Sequence, residues 1–469
     1  MKSANDSSKP TQRLRSLEGF HSTVSVPPGS AHPLRQYLAY AGPALLVSVG
    51  YMDPGNWSTD LSAGAGFKYG LLFIVGLASL MAIFLQVISA RLGVVTGKDL
   101  AHCCRDHLPG WTRWPNYLTC EIAIAACDLA EVLGSAVAIH LLFPRISLLA
   151  AVIITACDVL LLLSLQRLGM RLIEAVIVVL IGTIGVCYFI EIFVLPQTTP
   201  NLLEIASATA APNLGAFLKN KDMVFIAIAI IGATVMPHNL YLHSALVQTR
   251  KLQADDASVR RAIKFNTLDS VIALSLAFFV NAAILVLAAL IFFGKDKLTL
   301  PGGEVVVFDK DADWIQVAYL TLSPLLGVAA ASLLFALALL ASGQSSTITG
   351  TLAGQVVMEG FMDWKIRPWV RRLITRLAAI VPAILLIGVR GDGGVNDLLN
   401  LSQVVLAIQL PLAMFPLLWF TGSRKLMGSY RNGRFLRIAG WASCLLITAL
   451  DIYGLPGAIH DAMAVFAPR

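Results

Sequence analysis

The sequence predicts an all-α polytopic membrane protein of eleven transmembrane helices containing an internal inverted repeat, and three observations carry that prediction. Only 13% of the 469 residues are charged and 57% are hydrophobic, against about 25% charged in soluble domains. Apolar runs of roughly membrane-spanning length recur along the whole chain. Two of these runs are interrupted in the same way, one early and one near the middle, as expected of two related halves.

Residues 1–36 are polar, carry Pro27, Pro28 and Pro33, and lack the apolar core of a signal peptide, so they are expected to form a disordered tail. Apolar runs then fall at 38–66, 70–95, 117–142, 146–165, 170–195, 223–249, 267–293, 315–349, 373–390, 395–421 and 435–457. The connections 91–116 and 250–266 are basic, and 294–314 carries Asp309, Asp311 and Asp313. Eleven spans put the termini on opposite sides, which leaves 26 Lys and Arg residues on the amino-terminal side and 9 on the other. Basic residues concentrate in cytoplasmic loops, so the amino terminus is expected in the cytoplasm and the carboxyl terminus outside. The net charge of +7 is therefore a topology signal, and no nucleic-acid partner is expected. Cys103, Cys104, Cys120, Cys127, Cys157, Cys187 and Cys444 form no CxxC pair, five of them lie in apolar runs, and all are read as unpaired and structural.

The first run reads GPALLVSVGYMDPGNWSTDL. Pro54 offers no backbone N–H and Gly55 has no preference for helix, so the helix should unwind there. Non-helical backbone at that depth survives only when buried in protein or lining a wet cavity. A carboxylate at mid-membrane costs at least about 2.5 kcal/mol, so Asp53 needs a partner. The sixth run repeats the device in AIAIIGATVMPHNLYLHS, where Met236, Pro237, His238 and Asn239 interrupt it. Each break opens a block of five helices, and an odd number inverts the second copy. The chain divides accordingly into 1–36 (tail), 37–195 (first repeat), 196–421 (second repeat) and 422–469 (eleventh helix and carboxyl terminus).

Where the breaks meet, the sequence offers the Asp53 carboxylate, the Asn56 amide oxygen, the Met236 thioether and freed carbonyls such as those of Gly50 and Ala233. One hard anion, neutral oxygens and one soft sulfur suit a divalent transition ion better than magnesium or calcium, which prefer an all-oxygen shell. DPGN and MPHN, together with GYMDPGNW, CDLAEVLG, GATVMPHNLYLHS, ASGQSSTITGTLAGQ and SQVVLAIQLP, resemble the signature of the Nramp family of proton-coupled divalent-metal transporters, of the bacterial manganese type. The resemblance runs from about Gly42 to Leu418 and implies a leucine-transporter-type fold of two inverted five-helix repeats, here plus an eleventh helix. It implies that Asp53, Asn56, Met236 and the Ala233 carbonyl bind the metal, joined by the Gly50 carbonyl in some states. A tenth-helix amide is implied too, with Gln403 the candidate and Gln409 the alternative. Ser79 stands where some members have Asn.

The third run carries Glu121, Asp128 and Glu131, which at 100° per residue fall within about 80° of one another, on one inward face. The residues alone allow either a proton relay or acids neutralised by Arg371 and Arg372; the resemblance implies the relay, with Asp128 and Glu131 as its acids and the Arg pair as their partners. His238 adjoins Met236 and titrates near neutral pH; the resemblance implies a part in proton coupling and gating. His243 is read as structural.

The expected function is symport of manganese, and of iron as well, into the cytoplasm by alternating access, with protons passing from Asp53 along Asp128 and Glu131. No cofactor is expected, since Mn²⁺ or Fe²⁺ is the substrate and H⁺ the co-substrate. The partners are these ions and membrane lipid, and a monomer suffices. A sodium-coupled carrier of an organic substrate would lack the soft Met236 donor, whereas a metal channel would share the ligands but not the repeat. An intramembrane hydrolase is excluded by the lack of GxSxG, HExxH or a paired-aspartate motif. Asn5 and Asn56 fit N-x-S/T but lie in the tail and at the break, and with the short loops this indicates a bacterial plasma (inner) membrane.

Overall fold

The computed structural model describes residues 16–157, positions 172, 174, 175, 179, 182 and 186, and residues 200–253, 255–299, 305–307, 314–326, 331–390 and 395–466. The chain enters through α1 (Pro33–Tyr40) and α2 (Pro43–Ser48), a single 3₁₀ turn (Gly50–Met52) and α3 (Pro54–Phe67). It continues through α4 (Leu72–Thr96), α5 (Leu100–His107), α6 (Arg113–Leu142) and α7 (Leu148–Thr155). After two short helices come α8 (Lys221–Val235), α9 (Pro237–Leu246), α10 (Asp256–Ile291) and α11 (Trp314–Leu326). The chain ends with α12 (Ala331–Met362), α13 (Pro368–Arg390), α14 (Val395–Gly422) and α15 (Arg434–Phe466).

Among the described residues, seven helices are long and apolar enough to cross a membrane: α4, α6, the α8–α9 pair, α10, α12, α14 and α15. The expected all-helical polytopic architecture is thus present, and the shorter Pro43–Met52 stretch is apolar as well. The apolar span of α8–α9 is 83% buried and that of α15 only 17%, so the broken helix lies at the centre and the last helix at the rim. Ile438, Leu445 and Ile452 accordingly project outward from α15, where lipid would solvate them.

Several boundaries move. The tail expected to be disordered is packed from Ser16 onward: Val24–Ser25 (β1) pairs in parallel with Arg250–Lys251 (β2), and Leu17 N donates to Glu359 Oε2 at 3.0 Å. Within the run 315–349 the described residues form α11 and α12, and α12 extends to Met362 through the polar stretch 342–351. The connection 250–266 is helical from Asp256, because Asp255 accepts from Ser258 N at 3.1 Å and caps α10. Residues 158–165 of span 146–165, all of span 170–195 except positions 172, 174, 175, 179, 182 and 186, Cys187 and the three acids of 294–314 lie outside the described residues.

Candidate metal-binding site

At the first break, Asp53 takes an extended conformation (φ −68°, ψ 166°) and caps α3, with Pro54 as its first residue. A side-chain oxygen at the cap satisfies a free backbone N–H, and proline at the next position loses nothing by lacking one. Asp53 Oδ1 accepts from Asn56 N at 2.8 Å and from Asn56 Nδ2 at 2.7 Å. Asp53 Oδ2 is buried with no hydrogen-bond partner among the described residues. The α2 end is anchored from α10, where Asp269 Oδ2 accepts from Gly42 N and Ala44 N at 3.1 and 2.9 Å.

At the second break, Met236 holds φ at 39°, a strained conformation for a residue with a side chain. Pro237 then opens α9. The breaks meet through Asn56, whose Nδ2 also donates to Ala233 O at 3.0 Å and to Gly50 O at 3.4 Å. One amide N–H₂ group therefore stands against a carboxylate and two carbonyls. Its Oδ1 is held by Thr234 Oγ1 at 3.4 Å and Asn281 Nδ2 at 3.2 Å. The Met236 thioether is buried in a small apolar cluster with Ala123, Cys127 and Leu406 and accepts from Asn239 Nδ2 at 3.4 Å.

Helix α14 closes the site. A Cβ on Gly55 would lie 2.0 Å from Gln403 Nε2, and one on Gly232 would lie 2.0 Å from Gln403 O. Only glycine permits that approach, which sets Gln403 against both broken helices, whereas Gln409 neighbours Tyr241. Gln403 Oε1 and Asn239 Oδ1, like Asp53 Oδ2, are buried acceptors without a partner among the described residues. Buried polar atoms are ordinarily satisfied, and a surplus of acceptors is the pattern a cation would complete.

The acids of α6 face α13 as their spacing predicts. Arg372 pairs with Asp128 and, at 3.2 Å, with Glu131 Oε2, all three being about 1% exposed or less. Arg371 Nη2 donates to both oxygens of Glu121, at 2.9 and 2.8 Å. Glu131 also accepts from Ser346 Oγ at 2.9 Å and Thr347 Oγ1 at 3.0 Å. Cys127, which packs on Met236, donates through Sγ to Glu131 Oε1 at 3.7 Å, linking the two clusters. His238 is buried, with Nδ1 unpartnered among the described residues. His243 Nδ1 meets Gln86 Oε1 at 2.9 Å, and Gln86 Nε2 donates to Tyr51 OH at 2.8 Å, a buried strut below the breaks. Sequence reasoning named Asn239 only as part of the break and read His243 as structural without finding its partner Gln86, and it missed Thr234 and Asn281; the signal available for Gln86 and Asn281 was a lone amide within an apolar run.

The fold matches that of a solved nucleobase-cation-symport-1 family transporter at 13% identity, TM-score 0.55, covering 91% of this chain and 92% of that one. That likeness concerns the fold alone. A solved manganese transporter of Eremococcus coleocola matches at 37% identity with TM-score 0.82, over 96% of this chain and 97% of that one. The molecule is thus a multi-pass membrane transporter organised around two broken helices, and not an enzyme. The family model described as natural resistance-associated macrophage protein-like matches residues 44–456. Relatives named divalent metal cation transporter MntH are 48% identical in Nostoc sp., over 95% of this chain and 96% of that protein, and 46% identical in Ralstonia nicotianae, over 92% and 93%. The chain belongs to the Nramp family.

Proposed function

We propose that this transporter carries divalent transition-metal ions, manganese foremost and iron as well, into the cytoplasm together with protons. The observation that carries the reading is the convergence of Asp53 Oδ1, Gly50 O and Ala233 O on one amide N–H₂ beside the Met236 thioether. Turned over, that amide presents its oxygen, and the cluster becomes a hard and soft donor set of the kind manganese and iron accept. Gln403 Oε1 adds a further neutral oxygen from α14. The names of the MntH relatives and of the Eremococcus manganese transporter agree with this substrate class.

Asp53 and Met236 are both 0% exposed. Such closure favours a carrier working by alternating access over an open channel, because an ion reaches the site only after helices part. The thioether argues against sodium with an organic substrate, since sodium is a hard ion. Protons are carried by Asp128 and Glu131: metal arriving at Asp53 displaces a proton by charge repulsion, and the acids held by Arg372 lead it toward the cytoplasm. His238, beside Met236 and buried, serves coupling and gating. The amino terminus is cytoplasmic and the carboxyl terminus outside, in the bacterial plasma membrane, with the two breaks heading the two inverted repeats.

The test is manganese uptake into proteoliposomes under an imposed pH gradient. Saturable, gradient-stimulated uptake is expected from the wild type, and none from Asp53→Ala. Uptake retained by that variant would sink the site assignment.

A further inference from the structure

Two buried oxygens take no part in the site described above. Asp60 on α3 is 1% exposed, and its Oδ2 has no hydrogen-bond partner among the described residues. Asn281 on α10 is equally buried, and its Oδ1 likewise has no partner among them. Its Nδ2 is engaged with Tyr51 O at 2.8 Å and with Asn56 Oδ1 at 3.2 Å.

These two oxygens lie on facing strips. Asn56, Asp60 and Gly64 follow at intervals of four and so share one face of α3. Both ends of that face touch α10: Asn56 through Asn281, and Gly64 so closely that a Cβ there would lie 2.2 Å from Leu285 O. Asn281 and Leu285 are themselves four apart, which sets Asp60 between the two contacts, against the Asn281 turn. Among the described residues the charged group that acts on Asp60 is Asp53, about two helical turns nearer the break. A carboxylate at membrane depth with no cationic partner is costly, and such groups mark ion pathways. Both orphans are acceptors, so either a hydrogen-bond donor or a cation would complete them, and beside an uncompensated carboxylate a cation does so with the matching charge.

We infer that Asp60 and Asn281 form a second cation station on the outer half of α3, where the incoming divalent metal pauses before reaching Asp53. The inference rests on the metal-transport reading above. Both donors are hard oxygens without sulfur, so the outer station gathers divalent cations broadly while Met236 selects among them further in. Asp60 acts on entry and not on the bound inner complex.

The experiment compares wild type, Asp60→Asn and Asp60→Glu in proteoliposomes, reading Mn²⁺ half-saturation, maximal rate and melting temperature. Asp60→Asn should raise half-saturation by about fivefold or more with the maximal rate within about twofold. Its melting temperature should hold or rise, since an isosteric amide removes an uncompensated buried charge. Asp60→Glu should recover much of the half-saturation. Unchanged half-saturation in Asp60→Asn overturns the station, as does a lowered melting temperature with no half-saturation effect, which marks a structural strut. A shift confined to the proton dependence also overturns it by assigning Asp60 to protons. Absence of Mn²⁺ uptake by the wild type would instead overturn the transport reading itself.

Discussion

Asn56 Nδ2 donates to Asp53 Oδ1 across 2.7 Å, so the side chain expected to offer an oxygen to the metal here presents its nitrogen to the carboxylate. In the proposed site the amide stands where the cation would sit, and binding through its oxygen would turn it over, breaking its Oδ1 contacts with Thr234 and Asn281. Asn56→Ala removes both the stand-in and the proposed ligand. Manganese affinity measured by calorimetry is expected to fall about tenfold or more, the equivalent of roughly 1.4 kcal/mol. An affinity within twofold of wild type would mean that the amide only braces the break.

Met236 packs on Cys127 and Leu406 while its sulfur faces Asn239, and it is the soft donor of the proposed ligand set. Met236→Ala leaves a site made of oxygens, which suits hard ions. The expected outcome is retained manganese uptake, reduced no more than about tenfold, with newly measurable calcium or magnesium uptake. Selectivity unchanged across these metals would reduce the thioether to packing.

The breaks were legible because proline and an adjacent polar group are local signals, and Pro54 and Pro237 each stand one residue from the conformational change. The acids of α6 were legible by angle alone, since three carboxylates on one face must meet basic partners. The eighth span was not, because Ser345, Ser346, Thr347, Thr349 and Thr351 break the apolar pattern while being buried. Two of these hydroxyls serve Glu131, and hydropathy cannot anticipate a polar residue whose partner lies on another helix. The packed half of the tail was hidden for a similar reason: Ser16 Oγ donates to Val356 O, 340 positions away.

Arg372 binds two buried acids, whereas Arg371 binds one that is 20% exposed. Removing one partner of a buried ionic cluster leaves uncompensated charge and costs about 3–5 kcal/mol. The Arg371–Glu121 pair keeps an exposed edge, whereas protein encloses Asp128 and Glu131. Arg372→Met should therefore lower the melting temperature in detergent much more than Arg371→Met. Adding Asp128→Asn to Arg372→Met should restore part of the loss. Equal effects of the two single variants would contradict the difference in burial.

Asp99 and His102 form a pH-sensitive pair outside the membrane spans, on the face that carries the amino-terminal segment. Asp99 Oδ2 and His102 Nδ1 are 2.8 Å apart, with side chains 2% and 6% exposed. Burial opposes charge on both groups, but the ion pair prevails, holding the Asp99 carboxyl below its usual 3.8 and the His102 imidazole above its usual 6.5. A raised imidazole value means that the pair contributes fully below about pH 6.5 and is lost as pH rises through the folded-state value. The lowered carboxyl value means that its share is present above about pH 3.8 and lost only as pH falls through the lower folded value. The wild type should therefore exceed His102→Gln in melting temperature by more at about pH 6 than at about pH 9. Ser16 Oγ lies 3.3 Å from the same ring nitrogen, so loosening of the tail segment should follow the same pH course. Protease cleavage near Ser16 measured across that range reads it directly, and cleavage independent of pH would dissociate the tail from the pair.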